Sequence, residues 1–82
     1  MQAKYIVIDP NIMIVFPKHI GHDTVASKFG TDKVLSAGFF TARTNKDNDT
    51  ETNCWGESIS LGIKSRPEED TKIARNQFSD YL

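Results

Sequence analysis

Cys54-Trp55-Gly56-Glu57-Ser58-Ile59-Ser60-Leu61-Gly62-Ile63-Lys64-Ser65-Arg66-Pro67-Glu68-Glu69-Asp70 is the stretch on which the fold turns. It reads as a strand, a glycine turn and a helix start, and it carries the only tryptophan and the only cysteine of the chain. Trp55, Ile59, Leu61 and Ile63 share one parity, with Glu57 among them, and are expected to face the core. Cys54, Gly56, Ser58, Ser60 and Gly62 form the opposite strip, small enough for a helix, another chain or a ligand to approach the backbone. Ser65-Arg66-Pro67-Glu68 then fits a capping box, in which the Ser65 hydroxyl accepts the Glu68 N–H and the Glu68 carboxylate accepts the Ser65 N–H. Pro67 suits the first turn, where its missing N–H costs nothing. Glu68, Glu69 and Asp70 complement the positive end of the helix dipole. The spacing predicts a C-terminal helix over about 66–81, with Ile73, Ala74, Phe78, Tyr81 and Leu82 as its apolar stripe.

Working outward, Thr52–Ile63 reads as one strand, and Lys33–Arg43 as the strand before it. In the latter, Leu35, Ala37 and Phe39 alternate with Val34, Ser36, Gly38 and Phe40, and Gly38 marks a bulge or a close neighbour. Thr44–Thr50 has no apolar residue and is expected to be a mobile hairpin loop. Further upstream, Lys4–Asp9 and Ile12–Phe16 are rich in β-branched residues and are joined by the turn residues Asp9-Pro10-Asn11, which predicts an antiparallel hairpin. His22–Phe29 reads as a short helix stopped by Gly30. The order β-β-α-β-β-α predicts an α+β fold: a four-stranded, mainly antiparallel sheet with both helices on one face.

Eighty-two residues make a single domain, 1–82. A chain of this size buries only about 60–65% of the surface its unfolded form exposes, so an added source of stability is expected. One cysteine rules out an internal disulfide, and one cysteine with two histidines falls short of a structural zinc set. A homo-oligomer is the expected supplement. Ten basic and eleven acidic residues give a net charge of −1, without the basic face of a nucleic-acid binder. No apolar run approaches the length of a membrane span. The apolar run Tyr5-Ile6-Val7-Ile8 before Asp9 is too short for a secretory signal, and a free cysteine suits the cytoplasm.

The residues that carry chemistry each have a plain alternative. His19 and His22 beside Asp23 are potential metal ligands, but they lack a third and fourth partner, and a surface turn or helix cap is the better reading. Cys54 is a potential nucleophile, yet on a strand beside Trp55 it reads as a small buried hydrophobe. Glu57 interrupts an apolar face and is expected to pair with a base such as Arg43 or Lys33 across the sheet, to sit at the rim, or to face a ligand. Lys64 and Arg66 bracket Ser65 at a helix start, where free N–H groups and the dipole favour anions. With Ser58 and Ser60 nearby, Ser58, Ser60, Lys64, Ser65 and Arg66 make a candidate phosphate cradle, although it lacks the glycine pattern of a P-loop or a dinucleotide fold. No catalytic residue, metal or cofactor is assigned.

Ser36-Ala37-Gly38-Phe39 followed by Cys54–Asp70 resembles a group of small uncharacterised phage and prophage proteins that share a SAGF…C-aromatic-G…S-x-SLG…SRPED pattern. The resemblance covers roughly the C-terminal half. This chain has an extra residue within Arg66–Asp70 and a longer hairpin loop. The resemblance implies a small accessory, anti-defence protein acting in the host bacterial cytoplasm. Two functions are therefore expected. The first is a non-enzymatic oligomer that holds an anionic, nucleotide-like ligand at Ser58, Ser60, Lys64, Ser65 and Arg66. The alternative is an inhibitor that docks on a host defence protein, in the manner of anti-CRISPR proteins.

Overall fold

The computed structural model describes residues 2–44, 46–47 and 50–78. The end of the expected helix at 79–81, its stripe residues Tyr81 and Leu82, and positions 45, 48 and 49 of the expected loop lie outside them. Four strands form one antiparallel sheet: β1 Gln2–Ile8, β2 Ile12–Phe16, β3 Val34–Thr44 and β4 Thr50–Trp55, in the order β2-β1-β3-β4. Helix α1, His22–Phe29, follows β2, and helix α2, Pro67–Phe78, ends the described chain. The α+β class, the antiparallel sheet and the C-terminal helix are those the sequence predicts.

Three expectations are corrected. The first concerns the helices, which lie on opposite faces of the sheet. Tyr5, Val7, Phe40, Ala42 and Cys54 pack with Ala74, Ile73 and Phe78 of α2. Their alternates Ile6, Ile8, Ala37 and Phe16 pack with Ala26 and Val25 of α1. Strands apolar on both faces require a cover on each side, and each helix supplies one.

The second correction concerns the predicted strand over Thr52–Ile63. It stops at Trp55 because Gly56 takes a positive φ of 81°, and a Cβ there would press on the Phe39 ring. The chain then makes a small separate hairpin, β5 Glu57–Ser58 and β6 Ile63–Lys64. Its Leu61 and Ile63 cover the α1 face beside the helix. The expected core parity holds for Leu61 and Ile63 but not for Trp55 and Ile59. In β4 it is Thr52 and Cys54 that are buried, opposite Ala42 and Phe40, while Trp55 turns outward and Ile59 is 89% exposed.

Helix α2 is fixed by a buried carboxylate. Asp70 is 0% exposed and lies one turn before Ala74 on the stripe that faces the sheet. Tyr5 Oη donates to its Oδ2 at 2.5 Å, and Ser36 Oγ to its Oδ1 at 2.9 Å. The Arg66 N–H donates to Oδ2 at 2.8 Å, and Arg66 Nε to Oδ1 at 3.2 Å. The expected Ser65–Glu68 capping box is not what holds the helix start. Ser65 N–H bonds to the Gly56 carbonyl at 3.0 Å, and Asp70 performs the reach-back one residue later, to Arg66.

Removing the carboxylate strands three polar partners in or beside the core. Asp70→Ala is expected to cost ~3 kcal/mol or more, and Ser36→Ala about 1 kcal/mol, in urea unfolding of the two variants.

Candidate functional site

The candidate site grows from the open part of the α1 face. Phe39 of β3 and Trp55 of β4 are directly opposite in the register and stack with centroids 4.9 Å apart. The indole Nε1–H donates to Thr41 Oγ1 at 3.0 Å, which fixes the ring's orientation from the same strand pair. Behind Phe39 stands His22, edge-on to Phe39 at 6.0 Å and to Phe16 at 5.5 Å. The result is an aromatic row that runs from the core to a tryptophan 43% exposed.

Beside this row lies a cleft of about 480 Å³, lined in part by Lys4, His22, Asp23, Phe39, Glu57 and Ile59. Helix α1 supplies His22 and Asp23, and the β5–β6 hairpin supplies Glu57 and Ile59. Lys4 Nζ is held by the Ile20 carbonyl at 3.1 Å. Burial keeps the His22 imidazole below its ordinary pKa, with the Lys4 charge acting in the same direction and the Gly38 carbonyl, 2.9 Å from Nε2, opposing both. A neutral His22 leaves Asp23 and Glu57 as two carboxylates against the one tethered ammonium in the lining. Gly38 has the close neighbour its sequence position foretells, since a Cβ there would collide with the Trp55 carbonyl.

The residues singled out from sequence are not gathered into one cradle. Ser58 is buried, and its hydroxyl accepts the Leu61 N–H at 3.2 Å, closing the hairpin turn. Ser60 lines the cleft and lies 3.3 Å from Ser58. Lys64 is exposed and faces Glu57 across the hairpin, while Arg43 pairs with Glu51 at 3.2 Å in place of Glu57. Ser65 takes its place near the Tyr5 hydroxyl. Arg66 lines a different hollow, and its guanidinium pairs with Asp70 and Glu69, both at 3.1 Å.

His19 is exposed while His22 is buried, and among the described residues no three metal-ligating side chains come together. Cys54 is buried, as a small hydrophobe would be. Burial, with the nearby Asp70 charge, pushes its thiol up to about 11, although a bond to Thr71 opposes the shift. The aromatic row itself was missed, because it needed Trp55 turned outward and His22 turned inward. No family model, curated protein or solved structure matches the chain.

Two measurements check this account. Cys54 is expected to resist alkylation at about pH 8 in the folded protein and to react at once in denaturant, since only the thiolate attacks. The unfolded chain protonates His22 first as pH falls. Its contribution to stability is therefore complete above about pH 6.5 and declines below it, with a slope of up to ~1.4 kcal/mol per pH unit. Urea unfolding across pH 5 to 7 is expected to show this slope, and a His22→Gln variant to lose it.

Proposed function

We infer that this chain is a non-enzymatic docking protein that binds another protein through the Trp55–Phe39–Ile59 surface. The observation that carries the reading is Ile59. It stands at 89% exposure in the four-residue turn of the β5–β6 hairpin, beside the cleft that Phe39 also lines. Turns favour Gly, Asn, Asp and Ser, and an isoleucine left in water forgoes about 2 kcal/mol of burial. Folding alone gives no reason for it. A stacked tryptophan with a fixed indole, next to an exposed isoleucine and a cleft, has the composition of an interface centre.

The cleft's charge indicates the partner. With Asp23 and Glu57 in the lining and Lys4 tied to a carbonyl, it suits a basic side chain whose stem lies on Phe39 and Ile59. The occupant is therefore a protein that presents an arginine or lysine within an apolar contact. The resemblance to small phage and prophage proteins supports a host defence protein as that partner, met in the host cytoplasm. The nucleotide-holding function expected first, at Ser58, Ser60, Lys64, Ser65 and Arg66, draws less support than the docking alternative, because Ser58 is buried and Arg66 is held by two carboxylates.

A partner captured from host lysate by the wild type is expected to lose ~30-fold or more in affinity to Ile59→Asp or Trp55→Ala, as truncated interface centres do. Asp23→Asn with Glu57→Gln is expected to weaken it further and to flatten its salt dependence. Unchanged capture by these variants, with their melting curves intact, removes the surface from function. A dimer in light scattering that Ile59→Asp dissolves assigns the surface to a second copy instead.

A further inference from the structure

We propose that the groove between β4 and α2 binds the phosphate group of a small ligand. The groove measures about 420 Å³ and lies on the other side of the sheet from the aromatic row, so it stands on separate observations. Asn53 and Cys54 of β4 form one wall; Glu68, Thr71, Lys72 and Arg75 of α2 form the other. Those four helix positions are spaced i, i+3, i+4, i+7, which sets them on one stripe. The stripe runs beside the one that carries Asp70 and Ala74 into the core.

Among the described residues, the two cations on this stripe are left without an ion-pair partner. Thr71 Oγ1 accepts the Cys54 N–H at 3.1 Å and its hydroxyl also bonds the Cys54 thiol, which fixes the side chain in the groove wall. Lys72 and Arg75 are both exposed, and among the described residues neither makes an ion pair. Glu68, one turn before Lys72, is at the favourable i,i+4 spacing yet does not pair with it. Like charges at i,i+3 repel. The helix dipole accounts for a cation in the last turn, hence for Arg75, but not for Lys72 beside it. An ammonium and a guanidinium lining one groove match the acceptor oxygens of a phosphate monoester, and a bound dianion relieves the repulsion. Glu68 repels an anion from the end of the groove near the helix start, which confines it to the Lys72–Arg75 end.

The ligand class is that expected from the sequence, but the residues are different ones. The test is an amide-resolved NMR titration at fixed ionic strength with inorganic phosphate, adenosine 5′-monophosphate and adenosine. Saturable shifts at Asn53, Thr71 and Lys72 are expected with the first two and not with adenosine. Tighter binding of the nucleotide than of phosphate identifies a nucleotide-type ligand, and equal binding a free phosphate. Lys72→Gln and Arg75→Gln are each expected to weaken binding ~10-fold, with Lys64→Gln unchanged. Shifts that stay linear up to ~10 mM phosphate, or that are as large at Lys18 and Lys28, are those of general ion screening and overturn the proposal. Loss of phosphate binding leaves the Trp55 surface untouched, so the two readings fail separately.

Discussion

The Asp70 carboxylate is the interaction on which the rest of the molecule depends. An ionised group taken out of water costs several kcal/mol unless its oxygens are filled with donors. Here the donors come from three places: Tyr5 on β1, Ser36 on β3 and Arg66 at the start of α2. The carboxylate therefore joins the two central strands to the C-terminal helix at one point. It also accepts an otherwise free N–H at the helix start, the task expected of a capping residue. Tyr5 shows the same coupling from the other side: burial and the adjoining carboxylate push its phenol well above the usual tyrosine range.

With α2 locked on that face, the opposite face is left to α1 and the β5–β6 hairpin. Neither is long enough to cover it. Helix α1 has eight residues and the strands of the hairpin two each. The hairpin is anchored through Leu61 and Ile63, and by the Ser65 bond to Gly56 at its base. What it cannot reach is the end of the sheet where Phe39 and Trp55 stack. Exposure of this aromatic pair follows from the way the cover is divided between the two faces.

The fold was legible where a local signal coincided with a tertiary one. The hairpin around Pro10, the stop at Gly30 and the stripe of Ile73, Ala74 and Phe78 are each visible in a short window. Asp70 was legible only as a helix-start acid. Its burial depends on Tyr5 and Ser36, which are 65 and 34 residues away in sequence. The candidate site was misplaced for a different reason. A single alternation through Thr52–Ile63 does not survive the positive φ at Gly56: Leu61 and Ile63 still pack on the α1 face, while Ser58 and Ile59 exchange places. Ser58 thus passed from a surface donor to a buried turn residue, and Ile59 from core to solvent. Which of the serines and cations stand free depends on register, which a short window does not carry.

The sheet edges bear on the proposed docking surface. An open edge invites strand addition from another chain. Both edges here are engaged by side chains of the same helix. Thr71 takes the Cys54 N–H on β4, while on β2 the Gln77 amide bonds both the N–H and the carbonyl of Met13, at 2.8 and 2.7 Å, as a neighbouring strand would. Helix α2 thus fills one face and occupies part of both edges at once. Strand addition must first displace these bonds, whereas contact through side chains on the open α1 face displaces nothing. The constraint that begins with Asp70 thereby favours association by the Trp55–Ile59 surface over association by backbone pairing.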